Sequence, residues 1–216
     1  MIIGISGMIG SGKSTLAKGL VKHYKKSILL EEFQEDDEVF NTFLKWLYEK
    51  RENINIGFQS YIIESLSDNL QKCLKEFKNK QLNMLNNHIF LDRFNLEHYI
   101  FAKVTLMNKN SKYLKAFDAL FNKLVNKDDN PDLAIFININ FETFKKRLFL
   151  RNRKSEIENY YENENYFKLL HSMYLSEYKK LVKKYQIPYV VIETDDLNDK
   201  QVLNKAIEII DNFKKY

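Results

Sequence analysis

Met1-Ile2-Ile3-Gly4-Ile5-Ser6 leads directly into Gly7-Met8-Ile9-Gly10-Ser11-Gly12-Lys13-Ser14-Thr15. The first six residues are strand-like, and the next nine fit a Walker A phosphate loop at every position. Glycines let the backbone turn its N–H groups inward around a polyphosphate, Lys13 reaches the β and γ oxygens, and the Ser14 hydroxyl can ligate Mg²⁺. A helix from Ser14 to about Lys25 points its positive end at the same anion. Four of the six glycines lie in the first twelve residues, so the cluster answers a local need in a glycine-poor chain.

Working outward, the apolar runs at 1–6, 27–32, 88–93, 133–139 and 189–194 read as strands. They are almost continuously apolar, as parallel strands covered on both faces must be. Helical patterns fall between them, at 14–25, 37–50, 55–79, 95–108, 112–126, 141–150, 163–184 and 199–214. This alternation predicts an α/β fold with a five-stranded parallel sheet, helices on both faces and right-handed crossovers. Asn126–Pro131 is a turn and not a domain boundary, so residues 1–216 read as one domain. In such sheets a ligand lies beyond the carboxyl ends of the strands, where the phosphate loop, Glu31-Glu32 and Asp92-Arg93 converge.

Composition narrows the classes. At 216 residues with 44% hydrophobic content, the chain can bury a full core, and no apolar run nears the roughly 20 residues that cross a bilayer. The reading is a cytoplasmic protein with no membrane partner. A single cysteine, Cys73, excludes an internal disulfide. The net charge of +5 comes mostly from Lys scattered along helices, which favours solvated faces over a specific nucleic-acid surface. Only five of the 34 basic residues are Arg, and Arg147, Arg151 and Arg153 crowd into seven positions. A chain that otherwise uses Lys places Arg where a rigid fork is wanted, as for phosphate.

Each candidate residue has a chemical reading beside a plainer one. Period-two alternation sends Glu31 and Glu32 to opposite sides, so one carboxylate faces the crevice and can accept the proton of an attacking hydroxyl. Both could instead open the acidic, solvated run that continues to Glu38. Asp92 at a strand end can organise Mg²⁺ while Arg93 meets phosphate or a carboxylate; the same pair could be a simple ion pair. The stripe Ile63, Leu66, Leu70, Leu74 and Phe77 extends back to Gln59, an inward amide suited to a nucleobase edge or to a buried backbone bond. Arg147 and Arg151 are four apart and repel by roughly 0.2–0.5 kcal/mol unless an anion lies between them. An arginine-rich lid closing on ATP would supply that anion and stabilise the transferring phosphoryl. Dispersed histidines without Cys partners argue against zinc.

Taken together, these pieces resemble the deoxynucleoside kinase family, nearest its bacterial deoxyadenosine/deoxyguanosine branch. The resemblance rests on the phosphate loop, Glu32-Phe33, Tyr48-Glu49-Lys50, Phe58-Gln59, Asp92-Arg93 leading to Ile100-Phe101-Ala102, and the lid pattern Arg147, Arg151, Arg153 and Glu156. It covers nearly the whole chain and implies a P-loop kinase fold that moves the γ-phosphoryl of ATP to the 5′-hydroxyl of a deoxynucleoside. A purine, with deoxyadenosine favoured, is the expected acceptor. By position the resemblance makes Glu32 the general base, with Glu31 its rival, and sets Arg93 near the 5′ end. Tyr48 and Glu156 hold the sugar 3′-hydroxyl, Gln59 pairs with the base, and Glu97 or His98 stands near a further base-reading acid. Residues 7–15 hold ATP with Asp196 and Leu197 beside its adenine. Mg²⁺ bridges the β and γ oxygens with Ser14, and with Asp92 or Glu32 through water. Relatives are usually homodimers. The family's Pro after the catalytic Glu is Phe33 here, and Leu66 stands where many relatives have Arg. Thymidylate kinase is the nearest alternative, although Arg-Glu-Pro-Gly is missing from the second strand; a basic nucleic-acid-binding ATPase is the more distant one.

Overall fold

The computed structural model describes residues 1–32, 37–151, 157 and 159–213. Five parallel strands form its sheet: β1 (Ile2–Gly7), β2 (Ile28–Leu30), β3 (Ile89–Asp92), β4 (Leu133–Asn138) and β5 (Tyr189–Glu193), in the order β2-β3-β1-β4-β5. The helices among the described residues are α1 (Lys13–His23), α2 (Glu38–Tyr48), α3 (Asn55–Asn79), α4 (Asn95–Leu106), α5 (Ser111–Leu124), α6 (Phe141–Arg151), α7 (Tyr160–Lys184) and α8 (Asp199–Asn212). Every strand pair is parallel, with Ile5 opposite Asp92 on one side of β1 and Ile135 on the other.

Alternation within the apolar strands sorts side chains between two cores. Ile3, Ile5, Phe90, Leu133, Ile135 and Ile137 face α1 and α8, meeting Leu16, Ala17 and Leu20 from the first helix and Val202, Ala206 and Ile210 from the second. Ile89, Leu91, Ala134 and Phe136 face the opposite way, into the larger core built with α3, α4 and α7. Continuous apolar strands are therefore two half-strands, one for each layer.

Three differences from the expected elements bear on the site. β2 spans only Ile28–Leu30, so Glu31 and Glu32 leave the sheet instead of ending it. The 126–131 turn contains a short 3₁₀ segment, Lys127–Asp129. Helix α7 begins at Tyr160, earlier than 163, because the aromatic run is a helix face. Tyr160 is fully buried, and its ring stacks on Phe167 with centroids 5.6 Å apart and planes at 14°. Tyr160, Asn163, Phe167, Leu170, Tyr174 and Tyr178 continue that buried face at helical spacing.

Helix α2 packs on α3 through a smaller cluster of Phe40, Phe58, Ile62 and Leu66, with Phe43 stacked on Phe58 at 5.3 Å. Asp37 caps α2 by accepting from the Phe40 N–H at 2.8 Å and also takes the Tyr61 hydroxyl of α3, which fixes the angle between the two helices. Trp46, the chain's one tryptophan, lies on α2, 38% exposed and edge-on to Phe43 at 5.5 Å. No helix among the described residues is long and apolar enough to cross a membrane.

Candidate active site

The turn from β1 to α1 needs backbone that only glycine supplies easily. Gly7 has φ 146°, and a Cβ there would sit 2.5 Å from the Ile137 carbonyl oxygen; Gly12, the N-cap of α1, has φ 99°. The loop thus delivers Lys13 and Ser14 to the first turn of α1, at the positive end of the helix. Lys13 is buried, and its Nζ donates to the Met8 carbonyl at 3.1 Å. Burial, with the neighbouring Arg93 cation, lowers its pKa to about 8, against the opposing pull of Asp92, Glu97 and Glu32.

A cavity of about 840 Å³ opens at the carboxyl ends of β1, β2 and β3. Ile9, Gly10, Gly12, Lys13, Ser14 and Thr15 line its phosphate-loop side, while Phe40, Tyr48, Phe58, Gln59 and Ile62 line the side made by α2 and α3. Glu32, Asp92, Arg93 and His98 lie between those walls, and Arg147 with Arg151 stands at the edge supplied by α6. A volume of this size suits a small-molecule site.

Arg93 organises the centre. Its Nη1 donates to Glu32 Oε1 at 2.8 Å and its Nη2 to the Gly7 carbonyl at 3.1 Å, so one guanidinium joins the carboxylate to the start of the phosphate loop. Phe101 of α4 lies under that guanidinium, 4.8 Å from the ring centroid. The backbone of Arg93 is left-handed, at φ 74°, which turns the chain sharply from β3 into α4. Glu31 goes elsewhere: it pairs with Lys18 at 3.2 Å with its side chain 47% exposed, against 14% for Glu32. The two carboxylates point to different partners, as expected, although both lie just past β2, and Glu32 is the one beside Arg93.

Glu97 departs from the position expected for it. It is fully buried and absent from the cavity wall; its Oε2 accepts from the Gly7 N–H at 3.1 Å and the Tyr174 hydroxyl at 2.7 Å, with Arg93 Nε 3.6 Å away. Burial raises its pKa, opposed by Arg93 and Lys13. The neighbouring residue, His98, is the one that lines the cavity. Its Nδ1 lies 3.1 Å from Gln59 Oε1 and its Nε2 lies 3.9 Å from Glu32 Oε1. Successive helix residues point about 100° apart, so only one of the two can face the crevice. Burial and Arg93 together hold the His98 pKa well below its ordinary value, leaving the ring neutral.

The remaining expected residues divide as follows. Gln59 is buried on the inward face of α3, as the stripe requires, and Tyr48 is buried on the cavity wall. Gly7, Met8 and Ser11 shape the phosphate loop from behind the lining residues. Arg147 Nη1 donates to the Ser11 carbonyl at 2.9 Å, tying α6 to the loop. Asp196 and Leu197 lie beyond β5 and do not line this cavity; Leu197 packs instead on the core shared by α1 and α8. Arg153, Glu156 and Phe33 fall outside the described residues.

For a divalent cation, the relevant pair is Ser14 and Asp92. The Ser14 hydroxyl donates to Asp92 Oδ2 at 2.5 Å, while Asp92 Oδ1 is buried with no hydrogen-bond partner among the described residues. Hard oxygen donors, one of them an orphaned carboxylate oxygen, fit Mg²⁺, which takes few protein ligands and completes its shell with phosphate and water.

A phosphate loop at the switch point of a parallel sheet, facing a partly buried acid across one arginine, defines a phosphotransferase of the P-loop class. The chain belongs to the deoxynucleoside kinase family, whose model matches residues 3–215. It is 31% identical to the uncharacterized protein MG268 of Mycoplasma genitalium over 88% of this chain and 81% of that one. It is 26% identical to a deoxyguanosine kinase of Lactobacillus johnsonii, over 100% of this chain and 95% of the relative. Among solved structures, deoxyadenosine kinase from M. mycoides with bound dATP superposes with a TM-score of 0.73 at 26% identity, covering 98% of this chain and all (100%) of that one.

Proposed function

We propose that this enzyme transfers the γ-phosphoryl of ATP to the 5′-hydroxyl of a purine deoxyribonucleoside, with deoxyadenosine the favoured acceptor, giving the 5′-monophosphate and ADP. The observation that carries this reading is the Arg93 bridge: Glu32 and the Gly7 carbonyl share one guanidinium, so an acid and a phosphate cradle border one cavity. A primary alcohol lodged there would give its proton to Glu32 as its oxygen attacks the γ-phosphorus. Lys13 and Arg147, with Arg151 and Arg153 on a closing lid, would neutralise the charge that spreads over the transferring group. Mg²⁺ held by Ser14 and Asp92 would offset charge on the β and γ oxygens. Tyr48 and Glu156 would take the sugar 3′-hydroxyl and Gln59 the base, while Asp196 and Leu197 would border the donor's adenine. The same reading carries a homodimer with one domain per chain.

The acid in this scheme is tested by Glu32→Gln. Turnover should fall by about a hundredfold to ten-thousandfold, the usual weight of a general base, while nucleoside binding measured by calorimetry persists. Glu31→Gln should keep near-normal turnover. The reverse pattern would overturn the assignment, and faster phosphorylation of dTMP than of any deoxynucleoside would overturn the acceptor class.

A further inference from the structure

Arg93 is a buried cation whose counter-charge changes during the reaction proposed above. Among the described residues two carboxylates pair with it: Glu32 on the cavity wall, 2.8 Å from Nη1, and Glu97 behind that wall, 3.6 Å from Nε. A guanidinium stays protonated at any working pH, so a buried one needs an anion beside it throughout. Glu32 is that anion only until it acts as the base. As the acceptor's oxygen bonds to the γ-phosphorus, its proton passes to Glu32, and the bond from that phosphorus to the β–γ bridging oxygen breaks, its electron pair leaving on ADP. Until the proton moves on to water, Arg93 faces a neutral carboxyl.

Glu97 stands apart from this exchange. It is fully buried, it does not line the cavity, and its Oε2 is fixed by the Gly7 N–H at 3.1 Å and the Tyr174 hydroxyl at 2.7 Å. Both of these partners donate. Oε1 has no hydrogen-bond partner among the described residues, so a carboxyl O–H would find no acceptor there, and the ionised form fits the site. Burial works against that charge, while Arg93 and Lys13 sustain it. The same residue also grips the phosphate loop, because Gly7 is held by its N–H to Glu97 and by its carbonyl to Arg93. An amide could brace the turn in the same way and is easier to bury than a carboxylate, which points to a use for the charge itself.

We propose that Glu97 is a positioning residue acting through Arg93: it keeps the guanidinium paired, and so in place beside Gly7, while Glu32 carries the acceptor's proton. The inference rests on the kinase reading and on Glu32 as its base. It gives the two carboxylates successive duties on one cation, Glu32 before proton transfer and Glu97 during and after it.

Glu97→Gln tests this, since it keeps the length and an oxygen for Gly7 and Tyr174 and removes only the charge. Single-turnover rates are measured with ATP and Mg²⁺ saturating and with deoxyadenosine, or whichever deoxynucleoside the parent uses fastest, limiting. Transfer should slow by about tenfold to a hundredfold, less than on loss of a donor that touches the transferring group. Affinities for ATP and the deoxynucleoside, read by calorimetry, should stay within about threefold, because Glu32 still pairs with Arg93 before the reaction. Glu97→Asp keeps the charge at a shorter reach, so it should transfer faster than Glu97→Gln although it meets the Gly7 N–H less well. If Glu97→Gln does not fold, Glu97→Asp carries the test alone: ATP should bind more weakly while transfer at saturating ATP stays within about tenfold of the parent, and a larger loss overturns the proposal. A Glu97→Gln enzyme that transfers at the parental rate, that outpaces Glu97→Asp, or that loses affinity as steeply as rate would overturn the role of Glu97 and leave the kinase reading intact. Absence of phosphorylation of any deoxynucleoside by the parent would overturn the kinase reading, and this inference with it.

Discussion

Lys13 is a cation in a place that disfavours cations. Burial and Arg93 bring its pKa to about 8, so part of the population is neutral at mildly alkaline pH. A bound triphosphate adds negative charge beside it and favours the charged form. Binding of ATP above pH 8 should therefore take up close to one proton, and the uptake should vanish below about pH 7, where Lys13 is already charged. Calorimetry in buffers of different ionisation enthalpy measures this directly; uptake that is flat with pH would contradict it. At this scale the sequence was informative where a motif fixes geometry. The phosphate loop was legible from its motif; the two carboxylates do part as expected, although both lie past the end of β2, where strand alternation no longer sets their directions. Glu97 against His98 was not legible. Helix α4 is buried almost all round, with Asn95, Leu96, Glu97, His98, Ile100, Phe101 and Ala102 all inside. An all-round apolar helix has no polar face to set its phase, so the sequence does not say which of two neighbours meets the ligand.

The terminal helix shows how much of a helix's stability is local. Asn198 caps α8 by accepting from the Gln201 N–H at 3.0 Å, and the Gln201 side chain accepts from the Asn198 N–H at 3.0 Å, a reciprocal capping box. Asn198→Ala should cost about 1 kcal/mol, read as a lower urea midpoint with an unchanged slope. The KM for the acceptor should be unaffected, because α8 packs on the opposite layer from α2 and α3. The elements themselves were largely legible because their patterns are long and regular. The stripe on α3 put Ile63, Leu66, Leu70, Leu74 and Phe77 inside; four of the five are buried and Leu74 is half-buried. The start of α7 was missed because Tyr160-Tyr161-Glu162-Asn163 lacks an apolar-looking period. The buried members are a tyrosine and an asparagine whose polar atoms hide the helical repeat. Asn163 is accommodated because its Nδ2 donates to the carbonyls of Tyr48 and Asn159, so the polar residue ties α7 to the end of α2.

Across the whole molecule, the sheet order sets the division of labour. β1 lies between β3 and β4, so its carboxyl end is the point where successive connections part to either side, and the phosphate loop occupies that point. One layer, α1 with α8, supports the loop and brings Lys13 and Ser14 to the cavity from the first turn of α1. The other carries α2, α3 and α4, which close the cavity and hold Gln59 and His98. The positive net charge explains none of this, since the decisive cations are a few buried ones and not the exposed lysines.

The single tryptophan sits on the working layer, on the same helix as Tyr48 and Leu47, both of which line the cavity. It makes α2 optically distinct from everything else in the protein. With excitation at wavelengths that spare tyrosine, emission reports on that one helix and on the edge-on contact between its indole and Phe43. Deoxyadenosine should change the intensity or colour of this emission in a saturable way, while a donor nucleotide alone, gripped at the opposite wall, should leave it nearly constant. The chain thus carries its own label for the acceptor half of the reaction, and rapid-mixing experiments could follow acceptor arrival without any dye.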